Sequence, residues 1–149
     1  MKRLLLLVTI VAISVPQVAT SSPAKYRPFG MFGGYKDKVI SPNRWRVSAT
    51  TNGVADEGSA QQMAVYRAAE LAQAAGYRYM QIVNQSGKVT MIGVGYSTPT
   101  IRGPQSMKLE IVGVNQNIQP TECASKQPDA CFTVDVAQAM AAARPYLQF

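Results

Sequence analysis

From Arg44 to Thr51 apolar and polar residues take turns along the chain. Trp45, Val47 and Ala49 fall on one side, and Arg44, Arg46, Ser48 and Thr50 on the other. Successive side chains of an extended chain point to opposite faces, so this period of two predicts a half-buried strand. Asn52-Gly53 supplies a turn at its end. The period changes at Ser59–Ala75. Ala60, Ala64, Ala68, Leu71 and Ala75 form one stripe at helical spacing, with Met63 and Ala72 at its flanks. Good helix formers fill the segment. Ser59 and Gln62 have the spacing of a capping box, and Gly76 supplies a left-handed stop. Arg67 and Glu70, three apart, can pair on the helix side. Small residues on the stripe let the helix sit close to a sheet, with Leu71 as the largest aliphatic anchor.

Beyond the helix, Tyr79–Asn84 and Lys88–Ser97 read as strands, and Gln85-Ser86-Gly87 as the hairpin turn between them. Gly93 and Gly95 suggest a bulge or a close helix contact. Thr98–Gln105, with Pro99, Gly103 and Pro104, predicts a loop. Met107–Asn115 predicts another strand, with Met107, Leu109 and Ile111 inward and Lys108 and Glu110 outward. Asp135 is placed to cap a short helix, Val136–Ala143, stopped near Pro145. The resulting order is β-α-β-β-β-α. The expected class is α+β: a mostly antiparallel sheet of about four strands, with one long and one short helix on one face. Gly and Pro punctuate Lys25–Tyr35, so residues 25–43 are expected to be irregular and 44–149 to form one α+β domain. Tyr26, Phe29, Phe32 and Tyr35 are expected to dock on that domain rather than mark a partner surface.

The remaining apolar run, Leu4–Val15, follows Lys2 and Arg3 and precedes the small and polar stretch Pro16–Ala24. That is the layout of a secretory signal peptide, over residues 1–24. As a helix the run spans only about 18 Å, against a hydrocarbon core of roughly 30 Å. The expected mature product therefore has no transmembrane helix and is periplasmic or secreted. Val18-Ala19-Thr20, Ala19-Thr20-Ser21 and Ser22-Pro23-Ala24 all offer small residues for the cut.

Export changes how the cysteines are read. Cys123 and Cys131 are an even pair in an oxidising compartment, with Ser125, Pro128 and Asp129 between them. A disulfide closing a surface loop is the first expectation. A metal site needs more ligands, and the chain has no His.

Residues 25–149 hold 13 basic and 8 acidic side chains, scattered along the chain, with Arg44 and Arg46 the tightest basic group. Such a balance allows weak attraction to anionic lipid, polysaccharide or nucleic acid. Export makes nucleic acid an unsuitable partner. No nucleophile–base pair, paired carboxylates or phosphate loop is visible, and no cofactor is implied. The best constellation is Arg44, Trp45, Arg46, Arg67, Glu70 and Tyr77, a basic and aromatic set able to hold an anionic or sugar ligand. The plainer alternative packs Trp45 in the core and uses Arg67–Glu70 to brace the helix.

Gly34-Tyr35, Asn43-Arg44-Trp45-Arg46-Val47, Arg67-Ala68-Ala69-Glu70-Leu71 and Gly76-Tyr77 carry a resemblance. Over roughly residues 34–83 the pattern resembles a family of small proteobacterial envelope proteins, often described as lipoprotein-like. The resemblance implies an exported bacterial protein and supplies no reaction and no ligand. This chain lacks the cysteine that lipidation needs in the leader region. The expected function is a non-catalytic envelope protein binding another protein or an anionic or glycan component. The alternative is an exported enzyme using carboxylates or arginines in a tertiary pocket.

Overall fold

The computed structural model describes residues 22–53, 55–92, 101–125 and 128–149. The strands are β1 (Ala24–Lys25), β2 (Gly34–Ser41), β3 (Arg44–Thr51), β4 (Tyr79–Ile92), β5 (Ile101–Val114), β6 (Phe132–Asp135) and β7 (Leu147–Gln148). The helices are α1 (Ser59–Ala74) and α2 (Val136–Ala143). The class is α+β. Five strands form an antiparallel sheet in the order β2-β3-β5-β4-β6, and β1 and β7 form a separate parallel pair.

Register explains which faces are buried. Trp45 and Val47 on β3 stand opposite Ile111 and Leu109 on β5, and Ile82 on β4 also faces Ile111. All five are buried. Helix α1 lies across β3 and β5, with α2 packed beside it. Ala60, Ala64, Ala68, Ala69 and Ala72 are all at most 2% exposed, so the alanine stripe does let the helix close onto the sheet. The larger anchors are Met63 and Tyr66. Leu71 is only half-buried and Ala75 is exposed, because the face in contact is rotated toward Tyr66 and Ala69.

The ends of α1 are fixed differently from one another. At the C-terminus, Gly76 (φ 82°) closes a Schellman motif: Gly76 N–H donates to Gln73 O and Tyr77 N–H to Ala72 O, both at 2.9 Å. At the N-terminus the capping box does not form. Gly58 holds the cap position in the left-handed region, and Ser59 is already helical. The Ser59 hydroxyl donates to Asp56 O at 2.5 Å. The buried Gln105 side chain accepts from Gly58 N–H at 3.1 Å and donates to Asp56 O at 3.2 Å. A long-range amide thus replaces the local cap. Helix α2 matches its sequence pattern: Asp135 Oδ1 accepts from Ala137 N–H at 2.9 Å and Gln138 N–H at 3.2 Å.

Two expectations about the strands are corrected. Gln85-Ser86-Gly87 is not a turn: β4 runs straight through it, pairing these residues with Leu109, Lys108 and Met107. Twelve pairs of ladder between these fourteen-residue strands outweigh a short turn signal. The segment expected as a loop contributes to β5 from residue 101 onward, and the β4–β5 connection, with Gly93 and Gly95, lies outside the described residues.

Residues 25–43 are not an irregular appendage. Strand β2 pairs along β3, and Tyr26 N–H donates to Gln148 O at 2.8 Å. Even residues 22–24 belong to the body. Ser22 O accepts from Asp56 N–H at 3.3 Å, and the buried Ala24 pairs with Leu147. A cut after Ala24 would remove this anchor; the two upstream cuts would keep it. Most of the expected leader, residues 1–21, lies outside the described residues.

Cys123 and Cys131 are joined by a disulfide with Cα atoms 5.7 Å apart. Ala124 N–H donates to Val83 O at 2.9 Å, so the bridged loop is also stitched to β4. A non-reduced intact mass two hydrogens below the thiol form is expected. Reduction should lower unfolding stability by about 2–3 kcal/mol, read from denaturant melts with and without reductant. Identical melts would show that the bridge does not restrain the unfolded chain.

Candidate functional site

The six residues singled out from the sequence occupy three separate places. Alternation along β3 puts Trp45 on the helix side and Arg44 and Arg46 on the opposite face. Trp45 is 5% exposed and meets the Tyr77 ring edge-on at 6.2 Å. Tyr77 lies against Gly113, where an added Cβ would stand 2.4 Å from a ring atom. This pair is packing, and the glycine is what admits the ring.

Arg67 and Glu70 sit on the flank of α1. Arg67 Nη1 bonds Glu70 Oε2 at 3.1 Å, and Nε bonds Asp37 Oδ1 on β2 at 2.9 Å. The Arg67 guanidinium also lies 4.8 Å from the centre of the Tyr35 ring. Burial opposes the Arg67 charge, but the bonds to Asp37 and Glu70 outweigh it and raise its pKa. The Tyr26 hydroxyl donates to Glu70. Burial first, then the Glu70 bond and charge, push that phenol far above its usual range, so Tyr26 stays neutral. Its ring stacks on Tyr35 at 4.7 Å and meets Tyr66 and Phe149 at 5.0 and 5.2 Å. The cluster ties β1, β2, α1 and the C-terminus together, which makes it a brace.

Arg44 and Arg46 belong to the outward face of the sheet. Glu110 on β5 joins them: Arg44 Nε to Oε1 at 2.7 Å, and Arg46 Nη2 to Oε2 at 2.9 Å. Arg44 Nη1 also reaches Glu122 at 3.0 Å. Its pKa is raised by the bonds to Glu122 and Glu110. Register carries further cations onto this face. Lys38 stands opposite Arg46, Lys36 and Lys108 stand opposite Ser48, and Lys88 stands opposite Ser106. All four lysines are exposed. Among the described residues this face holds six cations and three carboxylates: Glu110 and Glu122, bonded to the arginines, and Asp135 at the β6 edge, which caps α2. Sequence order hid the patch, because it is spread over four strands and assembled only by their pairing.

The Arg46 bond, with Arg44 adding to it, holds the Glu110 carboxyl below the ordinary glutamate range, against the opposing effect of burial. A lowered folded pKa gives stabilisation that is complete above the unfolded value of about 4.3 and lost as pH falls through the folded value. Glu110→Gln should destabilise the neutral-pH protein by about 1–3 kcal/mol. The difference from wild type should shrink as melts are taken from about pH 7 to about pH 2. A difference that stays constant over that interval would exclude the linkage.

A cleft of about 510 Å³ lies beside the β1 end of the fold, lined by Lys25, Arg27, Thr50, Thr51, Asn52 and Gln148 among others. The buried Thr51 hydroxyl has no hydrogen-bond partner among the described residues. Its polar lining offers cations, hydroxyls and amides, and Pro23, Ala24, Phe32, Ala55 and Met63 add an apolar wall. Lys25 and Arg27 suit it to holding an anion. Among the described residues, no helix is long and apolar enough to cross a membrane. In comparisons with known proteins, the chain matches no family model, no curated protein and no solved structure.

Proposed function

We propose that this chain is an exported, non-catalytic binding domain of the bacterial envelope, and that its outward sheet face holds an anionic envelope component. The observation that carries this is the sorting of charge. Residues 25–149 hold 13 basic and 8 acidic side chains, and six of the cations share one sheet face with three carboxylates among the described residues, one of them, Asp135, at the far edge and engaged in capping α2. Bonds to Glu110 and Glu122 hold Arg44 and Arg46 in place, while Lys36, Lys38, Lys88 and Lys108 remain exposed to meet a ligand. Such a field concentrates anions near the surface and weakens with salt. The basic and apolar leader, the disulfide and the resemblance to small envelope proteins support the compartment.

Cell fractionation tests both halves. The protein should leave the cytoplasm and sediment with envelopes at low salt, and be released as salt rises. Lys108→Glu combined with Lys88→Glu should release it at lower salt. Full-length protein retained in the cytoplasm would refute export. Envelope binding indifferent to both salt and charge reversal would refute the basic face.

A further inference from the structure

The N-terminal turn displays apolar side chains instead of burying them. Gly30 and Gly33 exchange both backbone hydrogen bonds, at 3.0 and 3.1 Å, leaving Met31 and Phe32 as the two turn residues. At the base, Phe29 N–H donates to Tyr35 O at 2.8 Å, and Tyr35 N–H to Arg27 O at 2.9 Å. The turn is therefore tied to β2. Yet Met31 is 93% exposed, Phe32 66% and Phe29 48%. Phe32 borders the cleft beside β1, but much of the apolar surface of the turn faces water, and that exposure is unfavourable. Of the four aromatics expected from the sequence to dock on the domain, Tyr26 and Tyr35 pack against the core, whereas Phe29 and Phe32 remain exposed.

Cations stand directly behind the tip. Lys36 Nζ lies 3.9 Å from the Phe29 ring centre, and the Arg27 guanidinium 5.6 Å from that of Phe32. Lys36 and Lys38 lead on to the outward basic face. An apolar tip backed by cations has the layering of an anionic bilayer surface, where aromatic rings favour the interface and phosphates lie above the acyl chains. A second copy of this chain is a poorer occupant, because it would bring like charges together.

We propose that the protein docks peripherally on an anionic phospholipid bilayer. Phe29, Met31 and Phe32 enter the boundary between headgroups and acyl chains, while Arg27, Lys36 and Lys38 pair with lipid phosphates. This rests on the proposal that the basic face holds an anionic envelope component, and names that component as lipid. Apolar insertion and charge together give the two signals that stable peripheral binding needs.

The test compares co-sedimentation of the protein, as isolated from expressing cells, with two kinds of vesicle: phosphatidylglycerol mixed with phosphatidylcholine, and phosphatidylcholine alone. Retention on heparin, a soluble polyanion, is measured in parallel. Binding is expected to the anionic vesicles only, and to fall steeply between about 0.05 and about 0.5 M salt. Phe29→Ser, Met31→Ser and Phe32→Ser together should weaken vesicle binding about tenfold or more while leaving heparin retention unchanged. Lys36→Glu with Lys38→Glu should weaken both, by about tenfold. Thermal melts identify any variant that fails to fold; the single Met31→Ser variant, at the most exposed position, should then still weaken vesicle binding. Wild-type retention on heparin without vesicle binding would overturn the lipid inference and leave the basic-face proposal standing. Loss of both would remove both. Unaltered vesicle binding by the serine variants would overturn insertion, as would a turn-dependent change of oligomeric state without lipid, which would make a second copy the occupant.

Discussion

Leu109→Ala is expected to cost the fold about 2–5 kcal/mol, a large part of the stability of a domain this size. Leu109 is 1% exposed at the middle of β5, opposite Val47 on one side and Gln85 on the other. Helix α1 covers this region of the sheet. Truncation would leave a cavity between two ladders and a helix, with every wall held by backbone hydrogen bonds. Leu71→Ala is a useful contrast. Its side chain is only half-buried at the edge of the core, so about 1–2 kcal/mol is expected. Gln73 is exposed, and Gln73→Ala should change stability by under about 0.5 kcal/mol. Urea unfolding at unchanged slope would give the three values on one scale. A Leu71 effect as large as that of Leu109 would mean that the helix, rather than the sheet, is the packing centre.

Gly34→Ala should be of similar size, about 3–5 kcal/mol, for a different reason. Gly34 has φ 128°, where a side chain is strained. Its added Cβ would stand 2.6 Å from the carbonyl oxygens of both Arg27 and Pro28. Those atoms are backbone, so no rotamer change relieves the clash. The close approach seats the turn that carries Phe29, Met31 and Phe32 against β2. The substitution should therefore both lower the melting temperature and displace the apolar tip. Gly30→Ala, with nothing within 4 Å of the added carbon, should stay within about 0.5 kcal/mol of wild type. Comparable melts for the two variants would show that the turn is not seated through Gly34.

Periodicity within one element is legible in the amino-acid sequence. The alternation of Arg44–Thr51 marks that strand's bounds and its buried face, because a strand's side-chain period depends only on its own backbone. The same holds for the inward Met107, Leu109 and Ile111 and for the Asp135 cap on α2. The Arg67–Glu70 pair, one helical turn apart, and the disulfide are likewise within reach of local rules.

Features that depend on a distant partner are not legible there. Strand β2 carries exposed lysines and an exposed Val39 and Ile40, so no buried face marks it; only its ladder with β3 makes it a strand. Gln85-Ser86-Gly87 has turn chemistry, yet the twelve-pair ladder with β5 decides its conformation. Gln105 caps α1 from 47 positions away. The candidate site divides in the same manner. Sequence alone determined that Arg44 and Arg46 share one side of a strand and that the chain is basic. Only the tertiary structure set Trp45 against Tyr77, gave both arginines to Glu110, and gathered Lys36, Lys38, Lys88 and Lys108 onto their face. The reason is physical: periodicity says which side of an element faces water, but charge accumulates across strands through a register that no single segment encodes.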